Sequence, residues 1–157
     1  MTNTIDSVSP PRRLVGVWIM SVLNLLVSSV FPVLSSIASL FSGSNPLSLF
    51  NVAPALLQIG LGTAIAWTTV GTWQGKENYR KSFLILLVTF QVFQIASNLM
   101  ILVIGKVPSQ FTLRFIGAIV RSVFWIGINL WYFGRYETRK WYREMETFSN
   151  LNSERAD

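Results

Sequence analysis

Four long apolar runs, separated by short polar connections, leave this chain few folds to adopt. They cover about 14–41, 51–73, 82–104 and 111–133. Each reaches the ~20 residues that a helix needs to cross a bilayer. A backbone in hydrocarbon must satisfy its own hydrogen bonds, so such runs read as membrane-spanning helices. The composition agrees. Of 157 residues, 51% are hydrophobic and only 13% are charged, about half the ~25% of an ordinary soluble domain. The expected fold is an all-α membrane protein, a four-helix up-down bundle with no soluble domain.

Residues 1–11 read as a disordered polar tail closed by Pro10 and Pro11, and residues 12–134 as the transmembrane domain. Arg12 and Arg13 precede the first run, as they would in a signal peptide. The run outlasts the ~7–15 apolar residues of such a peptide, so a retained first helix is preferred over cleavage near Ser36-Ile37-Ala38. Pro32 should kink that helix. Ser21, Asn24, Ser28 and Ser35 form a polar stripe on it, which should face protein because lipid offers these groups no partner. Gly43-Ser44-Asn45-Pro46 reads as a turn.

In the second run Pro54 sits in the first turn, where a missing N–H does little harm. Ala53, Gly60, Ala64 and Gly71 share one face. Small residues at this spacing let helices approach closely, within the protein or at a seam between two copies. Gln91, Gln94 and Asn98 lie within a narrow arc of the third helix. Gly105 to Gln110 makes a tight hairpin containing Pro108. The fourth run closes on Trp131, Tyr132 and Phe133, at the headgroup level. Residues 135–157 form a basic, aromatic tail. A helix from Arg135 to Phe148 would lie on the membrane surface or stand as a plain solvated tail, and residues from Leu151 onward should fray.

The charges orient the chain. Arg12, Arg13, Lys76, Arg80, Lys81, Arg135, Arg139, Lys140 and Arg143 fall on one side of the membrane. Lys106 and Arg114 fall towards the other. The positive-inside rule makes the first side cytoplasmic, with both termini there, in a multi-pass plasma (inner) membrane protein. The net charge of +6 therefore points to anionic lipids on that side rather than to nucleic acid.

Cysteine and histidine are both absent. That removes thiolate chemistry, His-ligated metals and Ser–His–Asp catalysis. Every Asp and Glu lies outside the four runs, so no intramembrane proton relay or aspartyl chemistry is expected. No catalytic residue, cofactor or metal is assigned.

Two charges do fall inside a run: Arg114 and Arg121, two turns apart on nearly the same face. Counted from Phe111, Arg121 lies about 15 Å along the axis, near the centre of a ~30 Å core. In one reading it snorkels, or is solvated by the amides of Asn24, Gln91, Gln94 and Asn98. In the other it marks a site for an anion, a lipid headgroup or a partner.

Trp67 and the stretch Trp73-Gln74-Gly75-Lys76-Glu77-Asn78-Tyr79-Arg80, with Asn129-Leu130-Trp131-Tyr132-Phe133, resemble the helix borders of small bacterial four-helix membrane proteins of unknown function. The resemblance implies a bacterial four-helix protein and no activity. The leading expectation is a non-enzymatic accessory, assembly or structural subunit of a membrane complex, binding other membrane proteins or its own copies. The alternative is a carrier or channel for a small anionic or neutral solute along a polar seam around Arg121.

Overall fold

The computed structural model describes Pro11 and residues 14–41, 49–104 and 108–154. The polar tail at 1–10, Arg12 and Arg13, the turn at 43–46, residues 105–107 of the hairpin and residues 155–157 lie outside the described residues. Every described element is helical: α1 (Val15–Leu25), a π-helical turn (Leu26–Val30), α2 (Phe31–Phe41), α3 (Leu49–Trp73), α4 (Glu77–Ile104), α5 (Ser109–Gly134) and α6 (Tyr136–Glu154). Four stretches are long and apolar enough to cross a membrane: Val15–Phe41, Val52–Trp73, Glu77–Ile104 and Phe111–Gly134.

The first span is not one regular helix. Pro32 has no N–H to give the Ser28 carbonyl, and its ring crowds that oxygen. The helix widens into the π turn just upstream of it. Both Ser28 and Ser29 are buried there. Ser28 accepts a hydrogen bond from Trp125 on α5, and Ser29 packs near Gly62 on α3.

In the bundle α4 lies between α3 and α5, and α1 and α2 lie against α3. The core is Val17, Ile65, Phe83, Leu87, Phe90, Phe133, Trp141 and Tyr142. It sits towards one end of the bundle. There Trp18 meets Trp73 edge to face at 6.5 Å, and Phe83 meets Phe133 at 5.4 Å. Towards the other end the helices loosen. No described residue of α4 beyond Gln91, and none of α5 before Ser122, is buried. The outward side chains there, such as Val103 and Leu113, are exposed, as lipid-facing residues should be.

The α3–α4 connection is a tight helix stop. Gly75 adopts φ +81°, a left-handed conformation open to glycine at no steric cost. Its N–H bonds the Thr72 carbonyl at 3.1 Å, and the Lys76 N–H bonds that of Gly71 at 3.2 Å, the paired bonds of a Schellman ending. Glu77 then opens α4, where its charge suits the helix N-terminus.

The C-terminal segment departs from both expectations. Arg135 leaves helical geometry at ψ 145°, and the chain turns back as α6. Thr138, Trp141 and Tyr142 are buried against the bundle, and Met145 packs on Gly75. It is neither a solvated tail nor a helix whose apolar face is left for the membrane surface alone. That face is used to close the tight end of the bundle. The helix also continues to Glu154, through residues expected to fray.

Candidate ligand cavity

Where the bundle loosens, the spans border a half-open cavity of about 510 Å³, with Arg121 exposed at its rim. The first span contributes Val27, Phe31, Pro32 and Ser35; α3 contributes Gln58; α4 contributes Phe90, Gln91, Gln94 and Asn98; α5 contributes Ala118, Arg121, Ser122 and Trp125. Polar groups therefore converge from every candidate span near mid-helix. The spacing of Gln91, Gln94 and Asn98 at three and four residues puts them on one stripe of α4.

Two features give this cavity chemical character. Arg121 forms no ion pair among the described residues, and no carboxylate lines the cavity. Gln91 is only 5% exposed, yet no hydrogen bond engages its side chain among the described residues. The same holds for the side chains of Gln58 and Gln94. Asn98 donates to the Gln94 carbonyl at 2.7 Å. A buried amide normally finds a partner, and a charge in hydrocarbon needs one. Arg121 and the three glutamines line one space, whereas the fully enclosed polar atoms without a partner among the described residues, Ser21 Oγ, Asn24 Oδ1 and Trp141 Nε1, lie away from it.

The floor is well made. The Trp125 Nε1–H donates to Ser28 Oγ at 3.0 Å. One turn on, Asn24 Nδ2 donates to Asn129 Oδ1 at 2.6 Å, and Asn129 donates to the Trp125 carbonyl at 2.9 Å. These side-chain bonds tie the first span to the last. Phe90 and Leu87 fill the space beside them.

Beneath the floor lies a second polar cluster that locks the end of the bundle. Arg80, 7% exposed, grips Glu77 through two hydrogen bonds of 2.6 Å and donates a third, of 2.7 Å, to the Phe133 carbonyl. That carbonyl belongs to the last turn of α5, which has no helical donor of its own. The guanidinium also lies 5.7 Å from the centre of the Tyr142 ring. Tyr142 donates to the Thr72 carbonyl at 3.0 Å. Burial pushes its phenol above the ordinary range, which keeps the donor proton in place. α3, α4, α5 and α6 are thus joined by two side chains.

The sequence candidates separate. Arg121, Gln91, Gln94 and Asn98 come together at the cavity. Asn24 does not line it: its Nδ2 donates to Asn129 Oδ1 and the Met20 carbonyl, while its Oδ1 is buried with no partner among the described residues. Arg114 is exposed and stands outside the lining. On α3 the small-residue face divides: Ala53 and Gly60 are exposed, Ala64 is half-buried, and Gly71 is buried against the Tyr79 ring. The glycine packed against the first span is instead Gly62, beneath Val33. Gln58 was not singled out in the sequence because one glutamine carries no periodic signal. The Arg80–Glu77 pair is legible as an i, i+3 spacing, but spacing alone does not show that the pair is buried against α5.

No protein-family model, curated protein or solved structure matches the chain.

Proposed function

We propose that this protein is a non-enzymatic multi-pass carrier or channel for a small anionic or neutral polar solute, bound in the cavity around Arg121. The supporting observation is the convergence of an unpaired arginine and an unpartnered, 5% exposed Gln91 on one mid-span cavity. Cavities of ~300–1,000 Å³ with a few converging polar groups are the usual form of small-molecule sites. In this reading the bundle is up-down, with both termini on the cytoplasmic side of a bacterial inner membrane. Lys76, Lys81, Arg135, Arg139, Lys140 and Arg143 gather at the end closed by α6, as the positive-inside rule requires. The cavity then opens away from the cytoplasm. Passage inward requires the Arg80–Phe133 and Tyr142–Thr72 ties to part.

The test is flux into proteoliposomes, with gluconate and lactate as anions and glycerol as a neutral polyol. Arg121→Leu should abolish the anion flux while helicity and melting temperature persist. Equal flux in that variant removes Arg121 from the mechanism, and no flux of any probe ends the carrier reading.

A second reading, an accessory subunit of a membrane complex, is favoured by the open surface at Ala53 and Gly60. A Cβ at Gly60 would meet nothing within 4 Å, so another helix could approach there. Mild-detergent purification that yields only a monomer, with no partner captured from native membranes, would rule it out.

A further inference from the structure

We infer that the cavity recognises an organic monoanion whose acidic group presents two equivalent oxygens, a phosphodiester or a carboxylate, with hydroxyl groups attached to it. The inference rests on the solute-binding reading above and names the ligand class for that site. Three features of the lining carry it.

The first is charge. Among the described residues Arg121 is the single ionic group in the lining, so these residues neutralise one negative charge. A second ligand charge would find no counter-ion among the described lining residues. That disfavours phosphomonoesters, which carry about −1.5 to −2 at neutral pH.

The second is shape. A guanidinium is a planar fork of donors that fits two oxygens of one acid side by side. Arg121 is free to offer this fork, because no carboxylate of the chain occupies it among the described residues.

The third is the amide set. Gln58, Gln91 and Gln94 each offer an acceptor oxygen and two donor hydrogens, and no protein group engages their side chains among the described residues. Such groups match hydroxyls, which both donate and accept. They would be left unmet by a purely apolar acid.

Two sources share this chemistry. The rim of the cavity at Phe31 and Arg121 is exposed. No hydrogen bond joins the first span to α5 beyond the Ser28–Trp125 tie, towards Phe41 and Phe111, among the described residues. A headgroup could enter from the bilayer through that gap, and a free anion from the water at the loose end.

The experiment is titration of the full-length protein in uncharged maltoside micelles, read by melting temperature and tryptophan fluorescence. The probes are phosphatidylglycerol, its tail-less headgroup glycerophosphoglycerol, gluconate, and diacylglycerol as the acid-free control. Saturable binding of at least one acidic probe is expected, with none by diacylglycerol. Arg121→Gln should weaken it at least about tenfold. Arg121→Lys, which keeps the charge and loses the fork, should fall between. Gln91→Leu should weaken it about fivefold, and Arg114→Gln should leave it unchanged. Binding of the lipid alone assigns the bilayer as the source, and binding of the tail-less probes assigns a free anion. The inference is overturned by no acidic probe binding, or by equal binding in Arg121→Gln. Binding without flux would sink the carrier reading and leave the ligand class standing. Glycerol flux without anion binding would do the reverse.

Discussion

Tyr142 and Arg80 show how single side chains can govern where helices end. Helix C-termini present carbonyls with no donor in their own helix. At the closed end of this bundle Arg80 serves the carbonyl of Phe133, and Tyr142 adds a second bond to the Thr72 carbonyl, which also accepts from the Gly75 N–H. Glu77 holds the Arg80 fork in place, so the charge in this nearly buried cluster is compensated. The consequence for Tyr142 can be measured. Its folded-state pKa is raised by burial, above the ~10 of a free phenol. Stability from the protonated phenol is therefore fully present below pH ~10, and is lost as pH climbs past that value towards the folded pKa. Tyr142→Phe should cost about 1 kcal/mol at neutral pH. It should also flatten the alkaline decline, seen by following the melting temperature in micelles from pH 8 to 11. An unchanged alkaline decline in Tyr142→Phe would place its cause elsewhere.

At the scale of elements, α3 shows what a helical face can and cannot say. Two glycines two positions apart, Gly60 and Gly62, have opposite environments. A Cβ at Gly62 would press into Val33, while one at Gly60 would enter open space. Helix packing in membranes depends on such close approach. Gly62→Leu should therefore separate the first span from α3 and lower the melting temperature by several degrees, whereas Gly60→Leu should leave the monomer's melting temperature unchanged. Equal effects would mean that the two faces are misassigned. The face Ala53, Gly60, Ala64 and Gly71 was legible as a periodicity, but periodicity does not say which of several apolar faces meets a neighbour. On α1 the polar stripe was more informative. Serine and asparagine have no use for lipid, and Ser21, Asn24 and Ser28 are buried, while Ser35, the fourth member of the stripe, is exposed at the cavity.

For the molecule as a whole, one end is tied by rings, Arg80 and α6, and the other is loose around a polar cavity. That asymmetry follows the side chains. The large aromatics Phe83, Phe90 and Phe133 fill the closed half, while Gln91, Gln94 and Asn98 occupy the same bundle interior further out. The proposed orientation can be checked on a clean background, since the chain has no cysteine. A membrane-impermeant maleimide should label Ser109→Cys in intact cells, and Arg139→Cys only after the membrane is opened. The opposite pattern would invert the topology.

Amino-acid order alone marked four apolar runs, the absence of thiol and imidazole groups, and the lack of any acid within those runs. Each of these depends on local hydrophobicity or on residue identity, which needs no neighbour to be read. Tertiary structure decided which polar residues meet: Asn24 with Asn129 rather than with Arg121, Gln58 brought to the cavity from α3, and α6 folded beneath the bundle. Those outcomes depend on the rotation of each helix about its axis and on where the chain turns back, and both are set by packing between segments far apart in the chain.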